Sequence, residues 1–151
     1  MTPAVYRIDD LPGLKGQHLG YSEYMPIEQE RVNLFADATG DHQWIHVDPE
    51  RAASGPFGGA IAHGYLTLSL APVLLNQVFK VEGMTFGVNY GCNKVRFPAP
   101  VKVGAKLRLG AAVADVEDVE GGLQVTYDLT LEAEGAPKPS CVAQVVYRYY
   151  R

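Results

Sequence analysis

Cysteine is scarce in this chain. Cys92 and Cys141 are the only two in 151 residues, which excludes a disulfide framework and a zinc ribbon and points to a reducing cytoplasm. Long apolar runs are missing as well. Residues 1–20 carry Asp9, Asp10, Pro12 and Lys15 where a signal peptide needs an unbroken apolar stretch. No segment is long and apolar enough to span a bilayer, so no membrane partner is expected. Neither sign of charge dominates: Lys+Arg 13 stand against Asp+Glu 17, a net charge of −4. That balance excludes a generic nucleic-acid surface and leaves room for a local basic patch that takes one phosphorylated ligand. Repeats, low-complexity tracts and flexible linkers are also absent. The expectation is one soluble intracellular domain spanning residues 1–151.

What the chain does contain is a 47% hydrophobic content, enough at this length to bury a core without disulfide or metal staples. The pattern changes near Gly83 from helix-like to strand-like. Before it, Val32, Phe35, Ala36 and Thr39 recur at helical spacing over residues 28–39, and Gly40 is a suitable stop. Asp48-Pro49-Glu50 starts a short second helix, with Asp48 as cap and Pro49 in the first turn, and Gly55 ends it. A third helix is predicted over residues 63–80. It is apolar on nearly every side, from Tyr65 and Leu66 to Val78 and Phe79, so it reads as buried all round, with a bend at Pro72.

From Met84 onward the period falls to two. Phe86, Val88, Tyr90 and Cys92 alternate first. Leu107, Leu109, Ala111 and Val113 share one face next, Gly121-Gly122 makes a tight turn, Leu123 to Leu131 alternate, and residues 141–149 form the last strand. A further strand is expected within residues 19–25. One long apolar helix with an antiparallel meander implies an α+β fold whose sheet curls around that helix.

Reactive side chains are densest in Thr39-Gly40-Asp41-His42-Gln43-Trp44-Ile45-His46-Val47-Asp48. His46 lies five positions after Asp41, which puts them roughly 140° apart on a helix and on opposite faces of a strand. A turn after the Gly40 stop can bring them together. A carboxylate and an imidazole converging on one water form a general acid/base pair. Taken alone, the same two residues also read as a turn residue and a hydrogen-bonded, partly buried histidine. His42 and His46 have the spacing of two zinc ligands on a helix, but Gly40 argues against helix there and no Glu lies between them, so no metal is expected. Gly64, in Ile61-Ala62-His63-Gly64, opens the apolar helix. Its backbone N–H can face an oxygen that becomes anionic during reaction, or Gly64 can simply permit close packing while His63 caps the helix. Trp44, Phe57 and Tyr65 are candidates to line an apolar pocket beside these groups, with Gln43 and His63 as further substrate contacts. Lys94 and Arg96 share a strand face next to the Pro98 break and are the first candidates for a phosphate.

These residues resemble the MaoC-like, or (R)-specific, enoyl-CoA hydratases. The resemblance runs over most of the chain and is most specific in Phe35-Ala36-Asp37-Ala38-Thr39-Gly40-Asp41-His42-Gln43-Trp44-Ile45-His46. It is supported by Ile61-Ala62-His63-Gly64 and by residues 93–101, Asn-Lys-Val-Arg-Phe-Pro-Ala-Pro-Val. Asp-His-Gln-Trp-Ile-His is similar to the NodN-like branch, which resembles single-domain mycobacterial hydratases. The resemblance implies a single hot-dog fold with an inserted, overhanging hydratase segment, in a homodimer with the pantetheine arm in a tunnel near the dimer interface. It implies a lyase of fatty acid metabolism that needs no cofactor and acts on acyl-CoA or acyl carrier protein thioesters. By it, Asp41 and His46 hold and activate the water that adds to a trans-2-enoyl thioester, and the Gly64 N–H polarises the thioester carbonyl. Two departures stand out. Gln43-Trp44 occupies the place of a common Asn-Pro, and the central helix has Pro72 where some members carry a serine, with Ser69 and Asn76 about a turn away on either side. A hot-dog thioesterase and a non-catalytic acyl-thioester binder are the competing readings.

Overall fold

The computed structural model describes residues 1–151. Strand β1 (Ala4–Arg7), a 3-10 turn (Ile8–Leu14), β2 (His18–Tyr21) and the two-residue β3 (Met25–Pro26) come first. Five helices follow: α1 (Gln29–Thr39), α2 (Trp44–Val47), α3 (Pro49–Ala53), α4 (Gly64–Ser69) and α5 (Ala71–Val78). The chain closes with β4 (Phe79–Glu82), β5 (Phe86–Arg96), β6 (Lys106–Val119), β7 (Gly122–Ala133) and β8 (Cys141–Tyr150). The main sheet runs β2-β6-β7-β8-β5, all antiparallel, with β3 also on β6.

The strict alternation in β6 and β7 explains the core. Leu107, Leu109, Ala111 and Val113 on β6, and Leu123, Val125, Tyr127, Leu129 and Leu131 on β7, are all essentially inaccessible. They meet Leu66, Leu74, Leu75 and Val78 from α4 and α5, and Leu70 between them, in one cluster. Each such Leu contributes about 2 kcal/mol by leaving water. On the other face of β7 and β8, Gln144 donates to Asp128 and Arg148 to Gln124, as an antiparallel sheet with one solvated face requires. The one polar pair inside the core is self-satisfied: the Tyr127 and Tyr149 hydroxyls lie 2.8 Å apart.

Four expectations need correction. The central helix is two helices. Pro72 lacks the N–H that would bond back to residue 68, and its ring crowds that carbonyl, so the break falls two residues earlier, at Leu70, and Pro72 sits in the first turn of α5. The helix also ends at Val78, because Phe79 turns to φ −153°, ψ 162° and begins β4, which pairs in parallel with β1. Strand β4, Phe79-Lys80-Val81-Glu82, alternates over four residues only, too short a run to stand out from the apolar helix that precedes it. Third, the helices are not buried all round: Tyr65 is 73% and Val73 46% exposed, and with Ser69 and Pro72 they form an open stripe. Fourth, the meander holds for β6, β7 and β8 only. β5 joins β8 at the far edge, and register shifts at Asn89/Gly91 and Cys92/Lys94 break its period of two. Phe86, Val88 and Tyr90 are all exposed there.

Candidate active site

The site is built where α1 stops. Gly40 takes φ +83°, the left-handed conformation that glycine adopts without penalty, and its N–H donates to the Ala36 carbonyl at 2.8 Å. The chain reverses there. The Asp41 carboxylate accepts the Gln43 N–H at 3.3 Å, a local turn that leads into the single turn of α2. That turn carries His46 inward, to 7% exposure. The convergence expected of a plain turn is thus made by a turn and a one-turn helix together.

His46 is held from three sides. Its Nδ1 lies 2.7 Å from the Ile61 carbonyl. A carbonyl only accepts, so Nδ1 carries the proton and Nε2 is left with a lone pair. Gln29 of α1 donates to the His46 carbonyl at 2.7 Å, and the Ile61 N–H donates to the Ile45 carbonyl at 3.0 Å. Ile61 is itself fixed by a bridge to Lys102. Beneath His46 lies His63, its ring stacked at 3.9 Å and 23°.

A carboxylate oxygen of Asp41 and one ring nitrogen each from His46 and His63 lie within 4.8 Å of one another. The set has the composition of a metal site, but its geometry does not suit one. Both imidazoles already engage a backbone carbonyl through one nitrogen, and lone pairs lie in ring planes. Two stacked rings therefore direct them side by side rather than onto a common point.

His46 and Gly64 line a cavity of about 430 Å³ whose other walls include Phe57, Thr67, Phe97 and Ser140. It is mainly apolar with a few polar groups, the usual make-up of a ligand pocket. Gly64 opens α4, so its N–H has no acceptor within the helix. A side chain at Gly64 would lie 3.1 Å from the Phe97 ring; glycine is what lets Phe97 close over this turn.

The other residues singled out from the sequence are dispersed. Gln43 is the exposed N-cap of α2. Trp44 lies against Gly55 and beneath the Arg51 guanidinium, 4.3 Å from its ring centroid, and is not part of the cavity wall. Tyr65 is exposed and meets Phe97 edge-on. Lys94 and Arg96 are exposed at the end of β5. His42 points away to Asp37 at 2.9 Å, and that hydrogen bond holds its imidazole above the ordinary value. Sequence reasoning missed Gln29, the Ile61 carbonyl, Phe97 and Ser140. The Ser140 hydroxyl is buried without a protein partner, and nothing in Pro139-Ser140-Cys141 announces it.

The fold and this site define a class: the chain belongs to the MaoC-like domain family, whose pattern matches residues 11–134. It is 54% identical over 143 residues to 3-hydroxyacyl-thioester dehydratase Z of Mycobacterium tuberculosis, covering 94% of this chain and 95% of that one. It is also 46% identical over 138 residues to nodulation protein N of Rhizobium leguminosarum, covering 89% and 85%. Among solved structures, the R-hydratase PhaJ1 of Pseudomonas aeruginosa superposes with a TM-score of 0.72 at 25% identity, over 91% of this chain and 82% of that one. The hot-dog architecture implied by the sequence resemblance is therefore the one observed. No helix is long and apolar enough to cross a membrane.

Proposed function

We propose that this protein is an (R)-specific enoyl-thioester hydratase, which in reverse dehydrates (R)-3-hydroxyacyl thioesters. The observation that carries the reading is the bond between His46 Nδ1 and the Ile61 carbonyl. With Nδ1 committed to Ile61, Nε2 is a hydrogen-bond acceptor at the wall of an apolar cavity, with the Asp41 carboxylate beside it. The two acceptors hold one water. As its oxygen bonds to C3 of a trans-2-enoyl thioester, the pair takes one proton from it. The C2=C3 electrons move toward the thioester carbonyl, whose oxygen becomes enolate-like and faces the Gly64 N–H. The pair then returns the proton to C2. Water has been added, and nothing is oxidised. The dehydratase and R-hydratase names of the relatives support the same chemistry.

Loss of enoyl absorbance with crotonyl-CoA, or a longer enoyl-CoA, tests this. A release of free thiol with the double bond intact would make the protein a thioesterase. Acyl-CoA binding without either signal would make it a binder.

Gly64→Ala is a sharper check on the carbonyl contact. Phe97 is 41% exposed and can swing outward, so the variant is expected to fold. A methyl group at the closest approach of the backbone to the substrate should lower kcat/KM roughly tenfold or more.

Phe57 and Phe97 are the apolar surfaces for the acyl thioester. Lys94 and Arg96, next to Phe97 in the chain, are the cations available for the phosphates of a coenzyme A arm; this local patch is compatible with the net charge of −4. The whole of residues 1–151 acts as one domain. Cys92 and Cys141 are both free thiols, which suits a reducing cytoplasm.

The functional unit is a homodimer paired through β5. Its exposed Phe86, Val88 and Tyr90, beside the open stripe of α4 and α5, form an apolar edge that an isolated protomer would leave prone to association. A groove of about 340 Å³ between that stripe and β5, lined by Leu68, Ser69, Pro72, Tyr90, Cys92 and Tyr147, is where a pantetheine tunnel would lie. A two-fold axis sets each strand against its own copy, so Val88→Asp places like charges on both sides. It should weaken association at least tenfold, read as a shift toward monomer in sedimentation velocity.

A further inference from the structure

His63 is 3% exposed and lies between the rings of Phe35, at 4.8 Å, and His46, at 3.9 Å. It is not part of the cavity wall that His46 and Gly64 share, and at this burial it presents almost no surface to a ligand. What it does touch is the main chain of Asp41: its Nε2 lies 2.9 Å from the Asp41 carbonyl oxygen. Because that oxygen only accepts, Nε2 is the protonated nitrogen. Nδ1 is buried with no partner.

Asp41 itself is otherwise weakly held. The Asp41 N–H reaches Thr39 Oγ1 at 3.4 Å and its carboxylate reaches the Gln43 N–H at 3.3 Å; both are local and long. The His63 bond is the shortest of the three and spans 22 residues. His63 therefore acts on both members of the pair, on Asp41 through a hydrogen bond and on His46 through its ring face. It also precedes Gly64 in the chain, so one rigid segment, entering α4, positions the acid/base pair and presents the N–H to the carbonyl.

We propose that His63 is a positioning residue that sets the distance between the Asp41 carboxylate and the His46 imidazole, by donating to the Asp41 carbonyl while supporting the His46 ring. This rests on the reading of Asp41 and His46 as the acid/base pair. Misplacing a reacting group by an ångström costs on the order of 100-fold in rate, which sets the scale of the expected effect.

Two substitutions separate the parts. His63→Phe keeps a ring beneath His46 and removes the donor. His63→Gln keeps a donor at the reach of Nε2 and removes the ring. With crotonyl-CoA, Phe is expected to lower kcat about 100-fold with KM within about threefold, because substrate binding is untouched. Gln should recover at least a tenth of wild-type kcat. Phe and Gln variants both within twofold of wild type would overturn the proposal, as would a raised KM at unchanged kcat, the mark of a substrate contact. Should the Phe variant fail to fold, His63→Asn serves instead. It is one methylene shorter than Gln, so kcat well below that of Gln is expected, and equal values overturn the proposal.

A second readout needs no activity. Long-range 1H–15N spectra of the wild type should show His63 protonated at Nε2 and His46 at Nδ1. His63→Phe, or Asn in its place, should shift the Asp41 carboxylate and His46 ring signals, and signals that stay in place overturn the proposal. A wild type that leaves the enoyl bond intact removes the hydratase reading. A wild type that hydrates, with His63 variants that match it, removes this inference alone.

Discussion

Asp41→Asn is expected to lower kcat for enoyl-CoA hydration by about 10²- to 10⁴-fold, the usual weight of a general acid/base group, and to leave the fold intact. The side chain is exposed. Its one hydrogen bond, from the Gln43 N–H at 3.3 Å, can be accepted equally by an amide oxygen, so thermal unfolding should move by no more than a few degrees. The change removes a proton acceptor and little else. His46→Ala should cost as much in kcat, but with a different signature. His46 is buried and donates to the Ile61 carbonyl at 2.7 Å, so its removal leaves that carbonyl unpaired and costs about 1–3 kcal/mol of stability. Two losses of activity, one without and one with a loss of stability, are expected from steady-state kinetics and thermal melts on the same preparations. The double variant should be little worse than either single one, because groups that act as a unit do not lose activity additively. Additive losses, or hydration that survives either change, would remove the pair from the chemistry even if the protein is a hydratase.

Gly122→Ala should destabilise the protein by about 3 kcal/mol or more, and Gly121→Ala by only about 1 kcal/mol, although the two glycines are neighbours. Gly121 takes φ +81° at the β6–β7 turn, and a side chain there would meet nothing closer than 3.8 Å. The cost is that of forcing an alanine into the left-handed region, about 1 kcal/mol or a little more. Gly122 sits in the sheet opposite Tyr150. A Cβ there would lie 1.9 Å from the Tyr149 carbonyl oxygen and 3.0 Å from the Tyr150 Cα. These are backbone atoms that cannot step aside, so the β7–β8 ladder must open at its end, a larger strain than ordinary overpacking. Urea denaturation of the two variants at equal m-value measures the difference. Equal midpoints would mean that the turn alone requires glycine.

That contrast shows where sequence reasoning stops. A Gly-Gly pair between alternating runs marks a turn, because local conformation is written in local residues. Which of the two glycines is pressed against another strand depends on residues nearly thirty positions away. The same limit explains β5. Its alternating Phe86, Val88 and Tyr90 look like half of a core, yet the strand falls at the edge of the sheet and exposes all three. Alternation records that a strand has an apolar face, not what will cover it. Pro72 was legible as a bend, since a missing N–H and a ring clash are local facts. The exact place of the break, at Leu70, was settled by packing. Phe79 continues the apolar run of the helix and so reads as part of it; the parallel pairing with β1 overrides that.

The candidate site divides in the same way. The nearness of Asp41 and His46 was legible as a helix stop followed by a carboxylate and an imidazole, a local arrangement; their roles, and that of Gly64, came only from the family resemblance. The sequence by itself also determined the kinds of the longer elements, the inward faces of β6 and β7, and the family. Tertiary structure alone decided which groups serve the pair. The Ile61 carbonyl selects the His46 tautomer from 15 residues away, His63 reaches Asp41 across 22, and Ser140 arrives at the cavity from the start of the last strand. Periodicity and capping are properties of neighbouring residues. Hydrogen bonds and stacking between distant segments exist only after the chain has closed its loops, and they are what turn an aspartate and a histidine into a matched pair.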